Sequence, residues 1–294
     1  MTTHTEAEIA SQPECWRRAV GEVPVDALPQ PGERVAVVGC GTSWFVAQAY
    51  AALRERAGHG ETDAFAASEA PTGRSYDRIL ALTRSGTTTE VLELLKSTGA
   101  RSTAITADPD TPVTTLAGRT VVLDFADEAS VVQTRFATTQ LALLRAHLGE
   151  DLTAAIADAE RALAEPLAPE PLAAEQLTFL GRGWTCGLAL EAALKMREAC
   201  RAWTEAYPAM EYRHGPISIA GPGRVTWMLG EAPERLREEV EATGGTFLAG
   251  GLDPMAELVR VQRVAVARAL ARGLDPDRPL HLTRSVILPA PETR

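Results

Sequence analysis

Ala81-Leu-Thr-Arg-Ser-Gly-Thr-Thr-Thr-Glu90 is the end of an apolar run that breaks into hydroxyls and a glycine, and the amphipathic run Val91 to Leu95 follows it. That pattern predicts a strand, a tight turn and a helix start. Thr83, Ser85, Thr87 and Thr88 gather hydroxyls, with Arg84 and several backbone N–H groups, at one helix N-terminus. There the macrodipole favours an anion by roughly 0.3–2 kcal/mol. A phosphate group fits this description; an ordinary helix start capped by Ser and Thr is the alternative, although one cap needs fewer hydroxyls.

The same pattern recurs on both sides. Arg34 to Val38 reads as a buried strand, Gly39-Cys-Gly-Thr-Ser43 as a turn and Trp44 to Ala57 as a helix; Ser102 to Thr106 leads into Thr111 to Ala117, and Thr120 to Phe125 into the segment from Ser130. Alternating units of this length imply a parallel sheet covered by helices, with ligands beyond the carboxyl ends of its strands. Thr134 to Ala164 reads as helical, and Pro166, Pro169 and Pro171 mark a boundary. Beyond it, Leu177 to Gly187 and the helix through Cys200 repeat Val37 to Ala57, with Gly39, Gly41, Ala47 and Ala51 falling on Gly181, Gly183, Ala189 and Ala193. The expectation is two copies of one α/β unit behind a helical arm, Glu6 to Ala19. Arg224 to Leu229 and Thr246 to Ala249 read as strands, Pro233 to Ala242 and Pro254 to Arg272 as helices, and Leu274 to Arg294 as a tail without a regular element.

At 294 residues and 45% hydrophobic content the chain is long enough for two globular domains. Its net charge of −10 and scattered basic residues argue against nucleic acid as a partner. Only Lys96 and Lys195 are lysines, so a neutral amine has few sources. Cys15, Cys40, Cys186 and Cys200 lack C-x-x-C spacing and read as packing residues of a reducing compartment. With a polar, acidic start and no run near the ~20 apolar residues of a membrane helix, the chain is expected to be cytoplasmic. Position 44 is Trp and position 186 is Cys where a dinucleotide fingerprint needs glycine, so no nicotinamide or flavin cofactor is expected. No metal-ligand spacing appears either.

Glu191, Lys195 and Glu198 share one helix face. They are either an exposed ion-pair ladder or, if that helix is buried like its counterpart, a carboxylate with a raised pKa able to act as a base. His214 lies in the rigid turn Arg-His-Gly-Pro-Ile, which can aim an imidazole, although a lone turn histidine is more often structural.

Taken together, these stretches resemble the sugar isomerase (SIS) domain family, in particular the isomerase half of glucosamine-6-phosphate synthase and its stand-alone deaminase, isomerase and deglycase relatives. The resemblance rests on Glu8-Ile-Ala-Ser-Gln-Pro13, Cys40-Gly-Thr-Ser43, Thr83-Arg-Ser-Gly-Thr-Thr88, Ser130-Val-Val-Gln-Thr134 with Thr138-Thr-Gln-Leu141, Ala193-Leu-Lys-Met-Arg-Glu198, Glu205-Ala-Tyr207 and Glu211-Tyr-Arg-His-Gly-Pro216. It implies two tandem SIS domains, each a flavodoxin-like parallel sheet: an arm over 1–28, a first domain over 29–150, a helical linker over 151–172 and a second domain with its tail over 173–294. Ser43, Thr83, Arg84, Ser85 and Thr88 would hold a phosphate, and Gly41, Thr42, Val131 and Gln133 would line the rest of the sugar. Glu198 would shuttle a proton between the sugar's first two carbons, Lys195 would orient it or contact the sugar, and His214, reaching over from a neighbouring subunit of a homodimer, would assist ring opening.

Two departures stand out. The synthase carries a glutaminase domain ahead of this region and nothing precedes the arm here, so this chain is not expected to hydrolyse glutamine. In the tail, Asp277-Arg-Pro-Leu-His-Leu-Thr-Arg-Ser-Val286 places Arg284 where the synthase has a lysine. An arginine stays protonated and forms no Schiff base, but can still position or polarise an oxygen. The stretch Gly250 to Pro254 also looks short, as though a strand of the second domain were lost. The expected function is an enzyme that isomerises, deaminates or deglycates a phosphorylated amino sugar or hexose phosphate through an enediol or enolamine, without metal or cofactor. The alternative is a sugar-phosphate sensor or regulator that has lost its catalytic group.

Overall fold

The computed structural model describes residues 2–71 and 73–289. The arm is two helices, α1 (His4–Ala10) and α2 (Gln12–Glu22), separated at Ser11, with Pro13 in the first turn of the second where its missing N–H costs nothing. The first half continues β1 (Val35–Gly39), α3 (Thr42–Arg56), β2 (Thr62–Ala66), β3 (Arg78–Leu82), α4 (Thr89–Ser97), β4 (Arg101–Thr106), α5 (Pro112–Leu116), β5 (Arg119–Val122), α6 (Arg135–His147) and α7 (Thr153–Ala164). After α8 (Pro169–Ala173) come β6 (Gln176–Gly181), α9 (Thr185–Cys200), β7 (Thr204–Pro208), β8 (Arg224–Met228), α10 (Leu236–Glu241), β9 (Thr246–Ala249) and α11 (Pro254–Ala271).

Two parallel sheets result, ordered β2-β1-β3-β4-β5 and β7-β6-β8-β9. The second has no counterpart of β5 among the described residues, in line with the short stretch after Ala249. β2 and β7 are half-buried edge strands with no continuous apolar run to mark them in the sequence. The helical stretch expected from Thr134 to Ala164 breaks into α6 and α7 at Gly149, whose φ of +86° no helix interior accepts. The helix expected over Pro233 to Ala242 is shorter, Leu236–Glu241.

Alternation along the strands decides where the core lies. Val35, Val37, Leu80 and Leu82 face a large apolar cluster that runs through α3, α6, α9 and α11 to Leu177, Phe179 and Trp227 of the other sheet. Ala36, Val38, Ile79 and Ala81 face a smaller cluster on the opposite side. The helices therefore form a layer between the two sheets. The arm is pinned to that layer by a buried chain of hydrogen bonds: Trp16 donates to Thr138 (2.9 Å), Thr138 to Gln12 (2.7 Å), and Gln12 to Gln262 of α11 (2.7 Å).

The repeated Gly-x-Gly turns have a common physical cause. Gly41 and Gly183 adopt φ of +54° and +58°, and a Cβ on Gly39 or Gly181 would lie 2.7 Å from the Ser43 backbone or 2.2 Å from the Thr185 carbonyl. Each helix start thus folds directly against the end of its strand. Where α9 crosses α3, a Cβ on Gly187 would meet the Phe45 carbonyl at 2.4 Å and the Ala49 amide nitrogen at 2.8 Å. Gly187→Ala is expected to cost about 1–3 kcal/mol through overpacking against backbone that cannot yield. Urea unfolding checks it; an unchanged midpoint would mean the two helices are not this close.

No helix among the described residues is long and apolar enough to cross a membrane. All four cysteines are free, with Cys15 and Cys200 buried and Cys40 and Cys186 half-buried.

Candidate active site

β1 and β3 pair in parallel from Val35 opposite Arg78, so the turns at Gly39 and Thr83 leave the same edge of the first sheet. At Thr83 the backbone N–H still donates to Ile105 of β4 (3.0 Å), and the chain then turns at Gly86, φ +63°. Only glycine fits there, because a Cβ would fall 2.0 Å from the Thr111 hydroxyl. The Thr83 hydroxyl accepts the Gly86 N–H (3.2 Å) and the Ser85 hydroxyl accepts the Thr87 N–H (3.3 Å). Thr88 opens α4 with extended backbone and leaves its hydroxyl out of the cap.

The hydroxyls of Ser85, Thr87 and Thr88 converge on one oxygen. That oxygen belongs to Ser285 in the C-terminal tail, which stands 3.1, 2.9 and 3.5 Å from them and accepts from the first two. The tail continues across the start of α4, where the Thr89 N–H donates to Val286 (3.2 Å) and the Leu288 N–H donates to the Thr89 hydroxyl (2.9 Å).

Arg84, expected beside these hydroxyls, points elsewhere. A buried guanidinium needs acceptors for its donors, and the two terminal nitrogens of this one find them in Glu128 (3.4 Å) and the carbonyls of Ser130 (3.1 Å), Val131 (3.3 Å) and Arg284 (3.0 Å), while its Nε has no partner among the described residues. It braces the loop over 128–134 against the turn and the tail. Glu128, a residue that no local motif marks, caps α6: its carboxylate accepts the N–H groups of Thr134 and Arg135 (2.8 Å) and the Thr134 hydroxyl (3.0 Å). Burial pushes the Glu128 carboxyl up, opposed by Arg84 and the Thr134 donors.

Val131 contributes its backbone, accepting from Arg84 and donating to Asp277 (3.4 Å). Gln133 keeps a buried side-chain oxygen with no partner among the described residues. Such an atom marks a place where a donor from outside would be welcome. Ser43 is buried under the first turn of α3, against Gly39, and around Gly41 there is open space.

Thr42, expected to touch substrate, is turned inward. Its hydroxyl donates to Glu191 (3.3 Å) and accepts from Lys195 Nζ (3.0 Å). The ladder Glu191, Lys195, Glu198 is therefore not an exposed one: Glu191 and Lys195 are 0% and 1% exposed. Lys195 Nζ lies 3.4 Å from Glu191 Oε1 and also donates to Glu198 Oε2, and Glu191 Oε2 is buried with no partner among the described residues. Burial lifts the Glu191 carboxyl to about 7, against the pull of Lys195. Burial also works against the charge on Lys195, but the two carboxylates outweigh it and hold the amine above its ordinary value. The consistent state near neutrality is a charged Lys195 that donates to Glu198, with Glu191 close to half protonated.

Helix direction places this group. Gly187 meets Phe45 and Ala49 while Glu191 meets Thr42, so α9 runs antiparallel to α3 and its last turn projects past the start of α3. Glu198 thus lies at the carboxyl edge of the first sheet, the edge that carries the hydroxyl turn. His214 does not join it. It is exposed in the 3-10 turn Glu211–His214 that follows β7, at the carboxyl edge of the second sheet, where α9 starts. The length of helix between Thr185 and Glu198 is roughly 20 Å at 1.5 Å per residue. Arg284 is fastened to the wall instead of standing free, donating to Asp127 and to the Glu128 carbonyl. No group of three or more His, Cys, Asp and Glu among the described residues is arranged to hold a metal ion.

No protein-family model matches the chain. Among curated proteins it is similar to glutamine–fructose-6-phosphate aminotransferase (isomerizing) of Sulfurisphaera tokodaii, 27% identical over 86% of this chain and 50% of that one. The enzyme of the same name from Gloeobacter violaceus is 29% identical over 86% and 52%. The chain thus spans about half the length of the curated relatives it matches. Among solved structures, glucosamine-6-phosphate deaminase from Thermotoga maritima superposes with a TM-score of 0.81 at 26% identity, covering 97% of this chain and 100% of that one. Tagatose-6-phosphate ketose/aldose isomerase from Escherichia coli shares the fold, with a TM-score of 0.80 at 17% identity over 99% and 97%.

Proposed function

Since this chain belongs to the sugar isomerase (SIS) family, we propose that it is a sugar-phosphate isomerase or deaminase acting on a phosphorylated amino sugar or hexose phosphate. The observation that carries the reading is the convergence of the Ser85, Thr87 and Thr88 hydroxyls on one acceptor oxygen. An ester phosphate offers such an oxygen and gains from the start of α4. In this reading the phosphate replaces the Ser285 hydroxyl, with Thr83 shaping the turn and Ser43 and Gly41 closing the neighbouring one.

The sugar then extends toward Gln133 and the end of α9. Glu198 takes the proton from the carbon next to the carbonyl and returns it to the former carbonyl carbon, while the Lys195 ammonium steadies the negative charge developing on oxygen. With an amino sugar the intermediate is an enolamine; protonation gives an imine, and addition of water releases ammonia and leaves a ketose phosphate. Arg284 holds the tail and cannot supply the amine of a Schiff base, so amination is not part of the proposal. The chain divides, in this reading, into the arm (1–28), two tandem SIS domains (29–150 and 173–294) and the linker between them. His214 stands a helix length from Glu198 in its own chain, which supports a homodimer in which each His214 serves the other copy's site.

The test is a panel of hexose and hexosamine 6-phosphates read by thermal shift, ammonia release and aldose–ketose conversion. At least one phosphate should raise the melting temperature and turn over, and its unphosphorylated sugar should do neither. No shift with any phosphate, or an equal shift without the phosphate, would end the proposal. A second reading, a sensor that binds sugar phosphate without turnover, is favoured by the hold of Ser285 on the hydroxyl turn, since ligand would then expel the tail; binding without product across the panel would select it.

A further inference from the structure

The arm motif Glu8-Ile-Ala-Ser-Gln-Pro13 takes no part in the chemistry proposed above, yet its glutamate is buried among the walls of the site. Glu8 is 4% exposed. Its Oε1 accepts the N–H groups of Ala129 (2.6 Å) and Ser130 (3.2 Å), and its Oε2 accepts the Ser130 hydroxyl. A carboxylate is costly to bury unless it is hydrogen-bonded, and an arm that had only to pack would need nothing more than its neighbour Ile9 supplies.

Two further contacts give the arrangement a direction. From the other side, Arg84 takes the carbonyls of Ser130 and Val131, so the peptides from 129 to 131 are held between an anion of the arm and a cation of the hydroxyl turn. At the start of α1, Asp277 of the tail accepts the N–H groups of His4 (2.9 Å) and Thr5 (2.8 Å) and the Thr5 hydroxyl (2.6 Å), while its carbonyl accepts the Val131 N–H. Arm, loop and tail thus meet at the segment that carries Val131 and Gln133.

We propose that Glu8 is a positioning residue for the substrate, holding Ala129 and Ser130 so that the 128–134 loop presents Val131 and Gln133 to the sugar, an inference that rests on the function proposed above. Glu8 touches no substrate and acts through Ser130. Removing it loosens the loop and weakens substrate binding, while the Lys195–Glu198 pair on α9 keeps its geometry.

The test uses the full chain with Glu8→Gln, Glu8→Ala and Ser130→Ala, glucosamine 6-phosphate as the first probe, and two readouts. Without ligand, amide hydrogen exchange at residues 129–131 should quicken in Glu8→Ala and less in Glu8→Gln, which keeps one acceptor oxygen. With ligand, KM should rise about 10- to 100-fold in Glu8→Ala, less in Glu8→Gln, with kcat changing under about threefold. Ser130→Ala added to Glu8→Gln should cost less than the sum of the two. If Glu8→Ala does not fold, Glu8→Gln and Ser130→Ala still decide. Variants that melt earlier but keep wild-type exchange at 129–131 and wild-type KM overturn the inference and leave Glu8 a packing residue. Wild-type protein that binds no member of the hexose and hexosamine phosphate panel overturns the function instead, and the exchange measurement still decides whether Glu8 holds the loop.

Discussion

Glu198→Gln is expected to lower kcat by about 10²- to 10⁴-fold, the usual worth of a positioned general base, while the same sugar phosphate still raises the melting temperature. The physical reason is separation of tasks. In the function proposed above, the phosphate is gripped by a turn of the first half, at Ser85, Thr87 and Thr88, and the base comes from the last turn of α9 in the second half. Glutamine preserves shape and a hydrogen-bonding oxygen for Lys195 but accepts no proton from carbon. The measurement pairs single-turnover kinetics with thermal shift in the same buffer. Turnover within threefold of wild type would remove Glu198 from the chemistry, and loss of binding together with turnover would mean that the carboxylate holds the sugar and does not react with it.

The second large effect concerns stability. Lys195→Met should destabilise the fold by about 3–5 kcal/mol, because it strips the counter-charge from carboxylates that are buried or half-buried around it. Adding Glu191→Gln should recover part of that loss, since the double variant no longer carries the more deeply buried charge. A linked pH effect follows from Glu191, whose carboxyl is lifted to about 7 chiefly by burial. A group with a raised folded pKa contributes its stability in full below the unfolded value near 4.5 and loses it as pH climbs through the folded value. Stability should therefore fall between about pH 5 and 7.5, and Glu191→Gln should flatten that slope. Denaturant unfolding across this range checks both points; a Lys195→Met variant as stable as wild type would show that the carboxylates are solvated after all.

Much of this could be read along the chain. The hydroxyl turn, the Gly-x-Gly turns and the parallel α/β alternation are local: each depends on residues within a few positions of one another, where strand period, turn chemistry and helix starts leave direct marks. The edge strands β2 and β7 left no such mark, because a half-buried strand is stabilised by its neighbour and not by its own apolar run. Glu128 could not be found in this way either, since its partners Arg84 and Thr134 come together only when the loop folds over the turn.

The division is sharpest at individual side chains. Sequence by itself determined which groups are available: the hydroxyls at 83–88, a single lysine between two carboxylates on α9, and an arginine in the tail. Only the tertiary structure decided what each one faces. It turned Arg84 and Thr42 inward to brace and to bridge, buried Glu191 so that its carboxyl approaches neutrality, laid Ser285 over the hydroxyls, and put His214 at the far end of α9 from Glu198. The reason is that local propensity acts over one turn or one strand, whereas burial, counter-charge and distance are set by segments as far apart in the chain as Glu8 and Ser130 or Arg84 and Arg284.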